Sequence, residues 1–303
     1  MNTISKTALA LAAAAVLSGC GSDPGPAGKA ASPPTEPAAT AQEKRHRFES
    51  VKADCMKQKG FRYIAHVPRE ELVTDEERRR RAGDYEALKA QRAKYGFGVF
   101  AVYVHPKGPD SPDSMPDLSG ADPNGDVWTK LSPAQRKSYW KAVNACVAVA
   151  AKQVLGKDVK SDTDLFDQLA AASDRAVRRE IDGDAELVEL ASSMATCLTG
   201  KGYEVSATMP SELSQRGRIA FLDQEDEIGR RQREDVADVP PPVKKGEVER
   251  TFGATLTPAE ARPHLAREIQ AALDDLECGR DFYRVYTPKS EAIAQRIAAE
   301  YGS

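Results

Sequence analysis

Apolar positions recur at three- and four-residue intervals through most of the chain, which is the period of an amphipathic helix. Phe48, Val51 and Cys55 share one face in this way, and so do Leu187, Leu190, Met194 and Cys197. Tyr139, Trp140, Val143 and Val147 predict a further core stripe, and "LFDQLAAASDRAV" from Leu165 predicts an amphipathic helix capped by Asp162. Gly60 and Gly202 follow the first two helices where a left-handed residue would stop them. "FRYIAHV" and "YEVSATM" come next, rich in aromatic or β-branched residues, and predict a strand or an extended return. Pro68 and Pro210 then suit the first turn of a new helix, with acidic residues just inside it. Ser132-Pro133 and Thr257-Pro258 carry the same logic, a hydroxyl cap before a first-turn proline. "DEERRRR", Asp75 to Arg81, reads as a solvated helix, with acids one turn ahead of the arginines and both complementing the helix dipole.

Two stretches of this pattern resemble each other. Aligning Cys55 with Cys197 brings Lys59 onto Lys201, Gly60 onto Gly202, Phe61 onto Tyr203, Pro68 onto Pro210 and Glu70 onto Glu212. "LSPAQRKSYWKAVNAC" from Leu131 and "LTPAEARPHLAREIQAALDDLEC" from Leu256 form a second matching pair, each a helix that carries a cysteine. The expected organisation is therefore an internal repeat of two helical units.

The N-terminus follows a different pattern. Lys6 precedes an apolar run from Ala8 to Leu17, too short for a spanning helix but suited to the core of an export signal. "LSGC", Leu17 to Cys20, resembles the lipobox of bacterial lipoproteins, which implies cleavage after Gly19 and acylation of Cys20. Two acyl chains suffice for stable anchoring. The partner so implied is a lipid bilayer, at the extracytoplasmic face of the cell membrane. The Pro-, Ala- and Gly-rich stretch that follows cannot bury enough apolar surface to offset the entropy of ordering, and reads as a disordered tether.

The 303 residues are 41% hydrophobic and 29% charged, with a net charge of −3. That balance gives no basic footprint, so no nucleic-acid partner is expected. Beyond Cys20 the chain has Cys55, Cys146, Cys197 and Cys278, an even number that suggests two disulfides in an exported protein. Three pairings are open. Units that close themselves give Cys55–Cys146 with Cys197–Cys278, and the main alternative is Cys146–Cys197 with Cys55–Cys278.

"CMKQKGF" at Cys55, "NGDVWTKLSPAQRKSYW" from Asn124 and "AALDDLEC" ending at Cys278 resemble the motifs of a family of secreted or lipid-anchored actinobacterial proteins, of the kind common in streptomycetes. The resemblance runs from about Arg47 to Tyr301. It implies no catalytic motif and no established activity. Leu198 stands where that family usually has Met, a volume-conserving difference.

Candidate chemistry is sparse. "DPNGD", Asp122 to Asp126, lacks the Gly and Glu of a calcium loop at the required positions and reads as a turn. His46, His66, His105 and His264 are scattered without a zinc-ligand pair. No phosphate loop and no nucleophile elbow is present, and "YGFGVF" from Tyr95 reads as a helix stop and turn. No catalytic, metal or cofactor site is assigned. The expected fold is mainly α: two related, disulfide-clipped helical units with short extended segments, after a disordered tether. The expected segments are a leader over 1–19, a tether over 20–41, a first unit over 42–160, and a linking helix with the second unit over 161–303. The expected role is a surface-anchored, non-enzymatic binding or structural module with a protein or envelope partner. The rival is a carboxylate-dependent hydrolase of cell-envelope material.

Overall fold

Seven of the α-helices among the described residues begin where a side chain takes up an orphan backbone N–H group. The computed structural model describes residues 40–68, 73–105, 122–237 and 250–302, and Cys20 with its lipobox lies outside them. Helix α1 (Ala41–Gln58) starts with a capping box of Thr40 and Glu43. Thr74 caps α2 (Asp75–Arg81), and Asp84 caps α3 (Tyr85–Tyr95). Two short helices follow, α4 (Ala101–Val104) and α5 (Asn124–Thr129). Ser132 and Gln135 box the start of α6 (Pro133–Ala150), which widens into a π-helical turn over Ala151–Leu155. Ser161, not Asp162, caps α7 (Asp162–Val177); Asp162 is the first helical residue, where its charge still favours the dipole. The remaining long helices are α8 (Ala185–Gly200), α9 (Pro210–Arg231), α10 (Pro258–Cys278) and α11 (Arg280–Tyr301). No helix among the described residues is long and apolar enough to cross a membrane.

The molecule is mainly helical, as the periodicity predicts, and the described residues contain no strand. Residues 61–68 and 203–208 leave their helices as single returns that ladder against no other described segment. The Asn124 side chain stands in for a partner strand at Ile64: its Oδ1 accepts from the Ile64 N–H at 2.8 Å, and its Nδ2 donates to the Ile64 carbonyl at 3.0 Å. Pro210 opens α9 as expected. The helix expected at Pro68 would begin in residues outside the described set, and the next described helix is α2.

Two helix pairs are joined by sulfur. Cys55 of α1 bonds Cys146 of α6, and Cys197 of α8 bonds Cys278 of α10, each with 5.5 Å between the Cα atoms. The helix ends beside Cys55 and Cys197 are built alike. Phe61 N–H reaches the Met56 carbonyl and Tyr203 N–H reaches the Leu198 carbonyl, both at 3.0 Å. Gly60 and Gly202 turn the chain with φ of 79° and 86°, the left-handed geometry that closes a Schellman motif. Around the first bridge lies a core of Met56, Tyr139, Val143 and Val147. Around the second, Leu187, Met194, Leu198 and Leu276 meet Phe282 and Ile297 of α11.

A third core ties the halves together. Tyr95, Val99 and Phe100 pack on Phe221, Leu265 and Ala271, so α3 and α4 sit against α9 and α10. Helices α3 and α4 fall in the segment expected as the first unit, and their main packing partner is α10. Two buried carboxylates of α10 hold them. Glu268 accepts from the N–H groups of Val99 and Phe100, each at 2.8 Å. Asp275 accepts from Arg92 at 2.5 Å and from the Tyr283 hydroxyl at 2.7 Å, while Arg216 approaches its other oxygen at 3.8 Å. Gly96 turns at φ +62°, where a Cβ would come within 2.7 Å of the Glu268 side chain. No other residue fits that turn without displacing the carboxylate.

Two predictions follow from this arrangement. The bridges close loops of 91 and 81 residues, and in the chain-entropy model each contributes about 4–5 kcal/mol. Urea unfolding of the Cys197→Ala/Cys278→Ala double variant should show a loss of about 3–5 kcal/mol, and a loss below 1 would contradict a stabilising role. Burial raises the Glu268 carboxyl above its ordinary value, against the pull of its backbone N–H partners. The folded chain thus keeps that proton to higher pH than the unfolded chain does. This group's contribution is fully present below its ordinary value and is lost as pH rises through the raised one. Glu268→Gln should therefore be most costly at the acid end of a pH series from 4 to 7, with its cost shrinking toward neutrality. A cost that does not vary with pH would show that the carboxyl is not shifted.

Candidate functional site

Tyr139 and Trp140 are adjacent on α6 and so point about 100° apart, which lets only one of them face the core. Tyr139 takes that place with Val143 and Val147 at one- and two-turn spacings, and all three are buried. Trp140 does not join the stripe that the sequence predicted; its side turns outward and it is 52% exposed. It stands beside a cavity of about 340 Å³ lined also by Tyr63, Trp128, Tyr139, Lys52, Asp122 and Asn124, with Asp162 at its edge.

The cavity walls are fixed by specific contacts. Trp128 of α5 meets Trp140 edge-on at 5.3 Å between ring centroids and lies 6.0 Å from Tyr139. The Arg136 guanidinium sits over the Trp128 ring at 5.3 Å and donates to the Thr129 carbonyl at 3.1 Å, which holds α5 against α6. Asp122 accepts from the Asn124 backbone N–H at 2.9 Å and side-chain amide at 2.8 Å. The "DPNGD" turn thus opens α5 and aims Asn124 at Ile64. On the far wall the Tyr63 hydroxyl donates to Glu49 at 2.7 Å, and Lys52 pairs with Glu49 at 3.1 Å while lying 4.8 Å from the Tyr63 ring centroid. Burial and the Glu49 carboxylate push the Tyr63 hydroxyl far above the ordinary tyrosine range, so it remains a donor. Burial raises Tyr139 as well, with Asp122 and Glu49 adding to the effect. The Tyr139 hydroxyl is buried in the cavity wall with no hydrogen-bond partner among the described residues.

The cavity combines flat aromatic faces, one solvent-facing indole, and a ring of donors and acceptors. A second cavity of about 310 Å³ adjoins it, with Asp162 lining both. A cleft of about 660 Å³ runs along α9 beside Tyr203 and Arg216.

The sequence-assigned bridge cysteines sit elsewhere and serve the scaffold, and Cys20 lies outside the described residues. Cys55, Cys146, Cys197 and Cys278 all lie in bridges. The histidines do not converge: His66 lines the second cavity, His264 stacks on Phe100 at 4.8 Å, and His105 meets Tyr95 edge-on at 5.7 Å. No group of three or more His, Cys, Asp or Glu among the described residues could hold a metal ion. The two most deeply buried acids, Glu268 and Asp275, are engaged by backbone amides, Arg92 and Tyr283 rather than facing this cavity. The convergence of Trp140, Trp128 and Tyr63 on one cavity is not legible in the sequence. The one hint in the sequence is the Tyr-Trp doublet, where two adjacent aromatics cannot both be core. No family model, no curated protein and no solved structure matches this chain.

The unpartnered hydroxyl yields a stability prediction. Tyr139→Phe removes a buried polar group that has nothing to bond, so unfolding free energy should stay level or rise by up to about 1 kcal/mol. A loss above about 1.5 kcal/mol in urea unfolding would mean that the hydroxyl is satisfied in the native protein.

Proposed function

We propose that this protein is a lipid-anchored, non-enzymatic binding protein of the cell exterior, and that its aromatic cavity takes a saccharide of the cell envelope. The observation that carries the reading is Trp140: a large apolar ring, 52% exposed, beside a cavity whose other walls are aromatic and polar together. A sugar ring has one face of C–H groups and a rim of hydroxyls. The exposed indole suits the face, while Asp122, Asp162 and the Tyr139 hydroxyl suit the rim. A cationic ligand fits less well, because Lys52 and Arg136 already lie against the Tyr63 and Trp128 rings.

The cavity favours binding over hydrolysis. Glycoside cleavage calls for a desolvated carboxyl to act as acid, and the two acids that line this cavity, Asp122 and Asp162, are both exposed. The anchor in this reading is Cys20, with the following Pro- and Ala-rich stretch as its tether. The export of two disulfides and the resemblance to secreted or lipid-anchored streptomycete-type proteins are in keeping with it. We further infer that the two cysteine-bridged helix pairs are copies of one unit, given the matching helix ends at Gly60 and Gly202 and the matching capping boxes at Ser132 and Thr257.

Tryptophan fluorescence tests the site. Titration with tetramers of N-acetylglucosamine and of mannose should give a saturable change for at least one of them. Trp140→Ala should weaken that binding at least tenfold while shifting stability by less than about 0.5 kcal/mol, as expected for a surface side chain. Saturable binding that survives Trp140→Ala would place the saccharide elsewhere, and release of new reducing ends would replace a binder with a hydrolase. For the anchor, Cys20→Ser should move the protein out of the membrane fraction. Intact mass of the wild-type chain should show an acylated N-terminal cysteine, and an unmodified one would end that part of the reading.

A further inference from the structure

The second cavity, on the other side of Asp162, has a different character. Its walls are Phe48 of α1, Val67 and Pro68 of the first return, Leu165 and Leu169 of α7, and Tyr301 at the end of α11. Phe166, 67% exposed, forms part of its lining and leaves a large apolar ring in solvent. Into this apolar setting come two nitrogen-bearing side chains. Arg45 and His66 both line the cavity, and the Arg45 Nε and the His66 Nε2 are each buried with no hydrogen-bond partner among the described residues.

A buried N–H without a partner is costly, and more so on a charged group. Nearby acids do not remove that cost. Glu49 lines the same cavity, but its two oxygens are taken by Lys52 at 3.1 Å and by the Tyr63 hydroxyl at 2.7 Å. Asp162 is exposed at the first position of α7, where the partial positive charge of the helix start already balances it. Arg45 therefore keeps a positive charge with no carboxylate of the described residues bound to it, at the side of an apolar chamber large enough for a body of about ten heavy atoms.

We propose that this chamber binds an amphiphilic anion: a molecule with a compact apolar body and one carboxylate or phosphate head, the head paired with Arg45 and His66 and the body against Phe48, Leu165, Leu169 and Phe166. The head supplies the acceptor that the buried Arg45 Nε–H lacks, and it also meets the His66 Nε2 when that nitrogen carries the ring proton. A guanidinium also presents the planar donor edge that carboxylates and phosphates bind best. The body removes apolar surface from water at both ends of the contact. This site stands apart from the saccharide reading and does not rest on it, since Trp140 and Trp128 line only the first cavity.

Isothermal titration of the full chain with four probes tests it: 4-phenylbutyrate, 4-phenylbutyl phosphate, 4-phenylbutanol and acetate. At least one of the two anionic phenylbutyl probes should bind ten or more times more tightly than the alcohol, and the comparison between those two identifies the preferred head. Acetate, which has a head but no body, should give no saturable heat. Arg45→Met should bring the anionic probe down to the level of the alcohol, a loss of at least tenfold. Leu169→Trp, which fills the chamber, should abolish both, while an unchanged far-UV circular dichroism spectrum and cooperative urea unfolding report that the fold is intact. The proposal is overturned if the alcohol binds as well as the anions, if Arg45→Met leaves their affinity unchanged, or if no phenylbutyl probe binds at millimolar concentration.

Discussion

Glu268 and Asp275 lie two turns apart on α10, both almost fully removed from water, and the rest of the structure is arranged so that neither is left alone. A buried carboxylate is tolerated only when charge and hydrogen bonds replace its lost hydration. Glu268 finds two backbone N–H groups at the turn after α3, and Asp275 finds Arg92 of α3 itself. Both partners come from a segment some 170–180 residues earlier in the chain. The need to satisfy these two acids thus fixes where α3 and α4 dock, and with them the third core. Arg92 also lies over the Tyr283 ring at 4.5 Å, which extends the same clamp to α11. At the end of α10, Cys278 fastens α8. One helix therefore gathers the second half and the middle of the first.

What the sequence revealed about this architecture was local. Helix starts at Ser132 and Thr257 were legible because a cap and its helix lie within one turn. Gly60 and Gly202 were legible for the same reason. The cysteine pairing could be favoured only through the resemblance between two stretches, and the structure has the bridges that close each of them. The acids of α10 were not legible. In an amphipathic helix an Asp or Glu reads as solvent-facing, and nothing near Glu268 in sequence announces that its partners are Val99 and Phe100. The docking of α3 was missed for the same cause, since distance along the chain hides a contact of this kind.

The candidate site falls between those extremes. Periodicity placed Tyr139, Val143 and Val147 in the core correctly and carried Trp140 along with them, although a residue one position away must face elsewhere. Asn124 was read only as part of a turn. Its role depends on Ile64, 60 residues earlier, whose N–H and carbonyl it pairs in place of a strand. This substitution explains why a segment with β-like composition stays single, and why aromatic side chains from it and from α5 converge on one cavity. The same single segment borders both cavities: Tyr63 lines the first, and His66, Val67 and Pro68 line the second.

The bridge from α1 to α6 also governs how the molecule bears tension. A pull entering at Thr40 travels along α1 to Cys55 and crosses directly to Cys146, so the 91-residue interval between them is out of the path. At about 3.4 Å per extended residue, roughly 310 Å of slack is withheld until sulfur is reduced. The second bridge withholds a further interval of 81 residues, roughly 280 Å of contour. Most of the aromatic cavity lies on elements inside the first locked interval, so tension along the chain can stretch other parts before it unravels the walls of that cavity.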